Sequence, residues 1–108
     1  MAKVLITCKE PNIDTKLSEC FGKSEYFCIY DSVSKKYDFF ENPANKKVKH
    51  KGKATIKYCI DNGINTIISG DFGPVAKTLL DEKNIQLVIF RNNITVKNIL
   101  EIQFSQKV

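Results

Sequence analysis

No apolar run in this 108-residue chain approaches the length of a membrane span. Met1-Ala2-Lys3-Val4 leads straight into strand-like sequence, with no signal-peptide pattern, so the expected location is cytoplasmic. The cysteines Cys8, Cys20, Cys28 and Cys59 include no C-x-x-C pair and no zinc-type spacing. In such a setting disulfides are not expected, and each thiol is judged by its surroundings. His50 is the one histidine, G-x-S-x-G is absent, and the first strand carries no pair of acids. Hydrolytic catalysis is therefore poorly supplied. The phosphate-loop and dinucleotide glycine patterns are missing as well. Internal repeats, low-complexity tracts and linkers are also absent, and 108 residues make one domain with a single core.

The chain is organised around the stretch from Asn65 to Leu80. Thr66-Ile67-Ile68 is β-branched, uncharged and too short for a helix, which predicts a buried strand. Gly70 and Gly73 bracket a turn, and Pro74 suits the first turn of a helix, where its missing N–H costs nothing. Val75, Ala76, Leu79 and Leu80 are expected on the inward face of that helix. A strand passing through such a turn into a helix start leaves backbone N–H groups beside the strand's C-terminal end. Open α/β sheets hold ligands there, and a helix N-terminus favours anions. The plain alternative is a βα connection whose glycines serve its shape alone.

Lys3–Cys8 reads as a central strand because it is apolar on both faces. Pro11, Asn12 and Asp14 mark a loop. Strands over Tyr26–Asp31 and Lys36–Glu41 are close enough for an antiparallel hairpin, and Asn42-Pro43 ends the second of them. A helix is expected from about Ala54 to Asn62, with Ile56, Cys59 and Ile60 inward and Gly63 just beyond its end. Gln86–Phe90 is a fifth strand. Thr95 can cap a last helix whose buried face is Val96, Ile99 and Leu100. A hairpin followed by βαβ units predicts a three-layer α/β/α sandwich on a mixed five-stranded sheet, order 3-2-1-4-5 with the second strand antiparallel. Ribonuclease H has this strand order, but its two-metal chemistry needs clustered carboxylates, which Val4-Leu5-Ile6-Thr7-Cys8 does not offer.

The formal charge of +5 is unevenly placed. Lys46, Lys47, Lys49, Lys51, Lys53 and Lys57 stand in a segment without an acid, leaving the rest of the chain close to neutral. Such a field suits an anionic partner, or a solvated loop kept for solubility. Among the cysteines, Cys28 and Cys59 read as small core residues. Cys8 lies at a strand end near the glycine turn. Cys20, followed by Phe21-Gly22-Lys23, has a lysine close enough to favour its thiolate, a soft ligand suited to metal–sulfur sites. His50 adds charge when protonated and can ligate a metal when neutral.

Three segments together resemble the dinitrogenase iron–molybdenum cofactor biosynthesis family, which includes NifX-like proteins, the NafY core domain and the C-terminal domain of NifB. They are Leu17-Ser18-Glu19-Cys20-Phe21-Gly22-Lys23-Ser24-Glu25-Tyr26-Phe27, Glu41-Asn42-Pro43, and Ile68-Ser69-Gly70-Asp71-Phe72-Gly73-Pro74-Val75-Ala76. They follow the family's S-x-H-F-G-R, E-N-P and G-x-x-G-P-x-A motifs in order and spacing. The resemblance implies a ribonuclease H-like α/β/α fold and a non-catalytic carrier of an anionic iron–sulfur or molybdenum-containing cluster. Cys20 takes the place of the family's histidine, Lys23 that of its arginine, and the Gly/His-rich loop has become lysine-rich, keeping His50 and Gly52.

The expected cluster ligands are accordingly Cys20, His50 and Cys8. Lys23, Lys49, Lys51, Gly52, Gly70, Asp71, Phe72 and Gly73 are expected to bind the anion. A cluster donor or acceptor protein is the implied partner, for a monomer or a weak dimer. A second reading is a nucleic-acid module using the lysine segment, with Tyr26, Tyr30, Tyr37, Phe39 and Phe40 for stacking. Against it, most of those aromatics fall at strand spacing and Arg91 is the only arginine. A small regulatory or partner-binding domain is the third.

Overall fold

Lys3-Val4-Leu5-Ile6-Thr7-Cys8 presents buried side chains on both sides, and the fold is built outward from it. The computed structural model describes residues 3–21, 24–42, 51–90 and 93–104, with residues 51–54 described as helical backbone only. The elements in order are β1 (Lys3–Cys8), β2 (Tyr26–Asp31), β3 (Lys36–Glu41), α1 (Lys51–Asp61), β4 (Thr66–Ser69), α2 (Pro74–Glu82), β5 (Gln86–Ile89) and α3 (Val96–Phe104). They form one sheet of order β3-β2-β1-β4-β5. β2 runs antiparallel to β1 and β3, while β1, β4 and β5 are parallel. This is the arrangement expected from the sequence.

Period-two alternation sends successive residues of β1 into different layers. Val4, Ile6 and Cys8 join Cys28, Tyr30 and Ile68 under Val96, Ile99 and Leu100 of α3. Leu5 joins Phe27 and Ile67 under Ile56 and Cys59 of α1 and Leu80 of α2. Helices therefore cover both faces. Thr95 caps α3 as expected, its Oγ1 accepting the Asn98 N–H at 3.1 Å.

Several local expectations are corrected. α1 begins at Lys51, one turn earlier than its apolar pattern, because Lys51-Gly52-Lys53 adds no large apolar side chain to that pattern. Ile60 is 44% exposed on α1 and Val75 is 63% exposed on α2, so each inward stripe is narrower than expected. The polar segment after β1 is not a free excursion. Leu17, Val96 and Lys97 donate their N–H groups to Ile94, Thr15 and Ile13 carbonyls, stitching the segment to the start of α3.

Both α1 and α2 end in paired carbonyl-capping bonds around a left-handed residue. After α1, Ile64 N–H reaches the Cys59 carbonyl and Gly63 N–H the Ile60 carbonyl, with Gly63 at φ 69°. After α2, Ile85 and Asn84 repeat the pattern onto Leu80 and Asp81, with Asn84 at φ 59°.

Candidate functional site

Parallel pairing of β1 with β4 brings their C-terminal ends together, and the segment carrying Cys20 crosses over both. Ser18 N–H donates to the Thr7 carbonyl at 3.0 Å, and Gly70 N–H returns to the Ser18 carbonyl at 3.0 Å. Beneath this crossing, the buried Thr7 hydroxyl lies 2.8 Å from the buried Ser69 hydroxyl, and both reach the Ser18 carbonyl at 3.4 Å. Phe21 N–H then bonds the Asp71 carbonyl at 3.1 Å, and the Phe21 and Phe72 rings pack with centroids 5.5 Å apart. The first and third sequence motifs are thus one physical unit.

The two glycines of the turn have different reasons. A Cβ on Gly70 would stand 2.8 Å from Glu19 Cα and 2.9 Å from the Ser18 carbonyl oxygen, so the crossing closes over a residue without a side chain. A Cβ on Gly73 would meet nothing within 4 Å, so folding makes no steric demand there. Gly73 is the residue before α2, Pro74 follows at the helix start, and no side chain caps that end.

Two hollows flank the crossing. One, of about 260 Å³, is lined by Lys9, Leu17, Glu19, Gly70, Asp71, Phe90 and Asn93. The other, of about 420 Å³, is lined by Lys9, Ser18, Glu19, Cys20 and Glu25. Lys9 and Glu19 belong to both. Among the described residues, Lys9 is the base of both linings, beside Glu19, Glu25 and Asp71.

The expected ligands separate. Cys20 is half-buried and lines the larger hollow. Cys8 is fully buried on the α3 face, and burial pushes its thiol up to about 12, which keeps it protonated and out of reach of an external ligand. Its strand position does neighbour the turn, but alternation turns its side chain into the core. Cys28 and Cys59 are fully buried, as expected; burial raises the thiol of Cys28 and pushes that of Cys59 up to about 12. Phe72, expected to bind the anion, instead faces the core, and its N–H is held by the Asp71 carboxylate at 2.8 Å. Gly70 N–H is likewise spent on Ser18. Among the described residues, no hydrogen bond engages the N–H of Asp71 or Gly73. Lys23, Lys49 and His50 lie outside the described residues, and Lys51 and Gly52 open α1 rather than forming a loop.

A second buried network was missed in the sequence. Asn42 is fully buried at the end of β3. Its N–H donates to the Glu25 carbonyl at 3.0 Å, and its side-chain amide donates to the Ser24 carbonyl at 2.9 Å and reaches Thr55 Oγ1 of α1 at 3.5 Å. The buried Ser24 hydroxyl lies 2.7 Å from the Tyr26 carbonyl and 3.2 Å from that of Cys8. The available signal was the asparagine of Glu41-Asn42-Pro43, a polar residue where the strand stops. Read for its proline, the motif hid the amide.

With both networks in place, the chain is a small α/β domain whose candidate site lies at the C-terminal ends of β1 and β4. Residues 2–104 match the family described as "Dinitrogenase iron-molybdenum cofactor", and the chain belongs to it. The search of curated proteins finds no match. Among solved structures, the apo form of the orange protein from Desulfovibrio gigas is similar at 20% identity and TM-score 0.84, covering 98% of this chain and 90% of that one. A Thermotoga protein described as NifB-type is similar at 24% identity and TM-score 0.79, covering 95% of this chain and 88% of its own. At these identities the likeness is one of fold.

Proposed function

We propose that the chain is a non-catalytic binding or carrier protein for an anionic iron–sulfur or molybdenum-containing cluster, or its precursor. The observation that carries this is Cys20: the half-buried thiol among three fully buried ones, in a hollow beside the glycine turn. One thiolate is a soft ligand, and a cluster held at one covalent point can be passed on, as a carrier requires. The family membership agrees with such cargo. In this reading the lysines of the 46–57 segment, with Lys23, supply positive charge, and the N–H groups of Asp71 and Gly73 are open to negative sulfides. His50 is a second ligand in this reading, and a cluster donor or acceptor protein is the partner. The protein works in the cytoplasm as a monomer or weak dimer. Among the described residues, no helix is long and apolar enough to cross a membrane.

The nucleic-acid reading gains nothing from the geometry. Tyr37 and Phe40 are the exposed aromatics of β3, and their odd spacing puts them on opposite faces of the sheet.

Anaerobic reconstitution with iron, sulfide and molybdate, followed by metal analysis and a visible spectrum, tests the proposal. Sulfide-to-metal charge-transfer bands lost in Cys20→Ala are expected. Colourless wild-type protein would overturn the cluster reading, and full metal content in Cys20→Ala would overturn the role of Cys20.

A further inference from the structure

β3 stands at one margin of the sheet, paired along its inner side with β2. Asn42 N–H donates to the Glu25 carbonyl, on that inner side. Backbone groups alternate along a strand, so Phe40, Asp38 and Lys36 also face β2, while Tyr37, Phe39 and Glu41 turn their N–H and carbonyl groups outward. Among the described residues, no other segment pairs with this outer edge. An open edge is a template for a further strand, and proteins ordinarily blunt one with a proline, a bulge or a mid-strand lysine. β3 has none of these, and its register with β2 is continuous from Tyr26↔Glu41 to Asp31↔Lys36. What occupies the edge instead is Asp38, whose carboxylate folds onto the outward Phe39 N–H at 2.9 Å.

We propose that the free edge of β3 pairs antiparallel with the same edge of a second copy of this chain, centred on Phe39, and that Asp38 limits the strength of this dimer. The edge is self-matching. A two-fold axis at Phe39 sets Tyr37, Phe39 and Glu41 of one copy against Glu41, Phe39 and Tyr37 of the other, each outward donor opposite an outward carbonyl. The same rotation brings the basic start of the strand, Lys35 and Lys36, beside the acidic Glu41 of the other copy. Rings meet on both faces: Phe39 and Tyr37, with centroids 6.0 Å apart, on the α3 side, and Phe40, 41% exposed, on the other. Forming the central bonds requires each Asp38 to release Phe39 N–H, and it sets the two carboxylates diagonally across the axis. The contact is one strand long, short of a stable interface, so association depends on concentration. This goes beyond the cluster reading and stands without it.

The test is sedimentation equilibrium of the full chain, metal-free and kept reduced so that Cys20 forms no disulfide between copies. Wild type is expected to dimerise at submillimolar concentration. Asp38→Ala is expected to tighten the dimer about tenfold, since two blocked donors are freed at once. Tyr37→Pro removes an outward N–H and leaves the bonds to β2 intact, so it is expected to abolish the dimer in either background. At low salt, Lys36→Glu and Glu41→Lys are each expected to weaken it about threefold. The two together restore wild-type affinity, because exchanging the signs leaves both the pairing and the net charge as they were.

Wild type and Asp38→Ala both monomeric at submillimolar concentration would overturn the proposal and leave the edge to a strand of some other protein. A dimer indifferent to Tyr37→Pro would put the interface elsewhere and overturn it too. So would growth past the dimer, because a two-fold contact consumes the edge it uses. If Tyr37→Pro proves unfolded, the charge exchange decides the matter: single substitutions without effect, or a double one that fails to restore affinity, contradict the register. No cluster enters the measurement, so a colourless reconstitution and a missing dimer are separate failures.

Discussion

At the scale of single residues, burial divides four chemically identical thiols into one usable group and three inert ones. A native thiol titration is therefore expected to count one reactive cysteine, Cys20, and a titration in denaturant to count four. More than one fast-reacting thiol in the native protein would contradict the packing. The glycines of the turn divide in the same way. Gly70→Ala should destabilise the fold by about 1–3 kcal/mol, because its Cβ would strike the Glu19 and Ser18 backbone rather than a movable side chain. Gly73→Ala should leave the urea midpoint nearly unchanged. If Gly73→Ala nevertheless weakens cluster uptake in reconstitution, the open space above it belongs to the ligand. In the motif both residues have equal standing, since it records that a glycine is present and not which neighbour requires it. Cys8 shows the same limit. Its strand end was correctly placed beside the turn, but the face it occupies follows from alternation in β1, which directs it beneath α3.

Single elements show where local signals are reliable. The helix stops after α1 and α2 use the same pair of hydrogen bonds, yet only Gly63 announces itself, because Asn84 adopts the left-handed conformation with an ordinary side chain. Gly63→Ala is expected to cost about 1 kcal/mol in urea unfolding, with no loss at Asn84→Gly. The cap at Thr95 was legible because its chemistry is local: an Oγ1 and an N–H three residues on. A loss of about 1 kcal/mol is expected for Thr95→Ala. The strands were legible too, since each alternates or runs apolar over its whole length. What escaped were the side-chain bonds joining distant segments, including Asn42 to Ser24 and Thr7 to Ser69. Those depend on which elements become neighbours, and no single segment carries that information.

For the whole molecule, the buried thiols set the response to alkali. Burial moves Cys8 and Cys59 from an ordinary 9.0 up to about 12 and raises Cys28 as well. The folded state thus keeps protons that the unfolded chain releases above pH 9. Stability from this source is complete below pH 9 and falls as pH rises toward 12, by about 1.4 kcal/mol per pH unit for each thiol. Urea midpoints are expected to drop between about pH 8 and about pH 10, and a flat profile would mean that the thiols are hydrated in the native state. The sheet order has a consequence in time as well as in space. β1, β2 and β3 pair with their sequence neighbours, whereas β1 meets β4, distant in the chain, in the register Val4↔Thr66 to Ile6↔Ile68. A chain emerging from the ribosome can assemble its first three strands early, but Ser18 has no Gly70 to receive until the fourth strand and the turn after it have been made. The newborn protein therefore passes through an interval in which its one open thiol is present on an unfinished support.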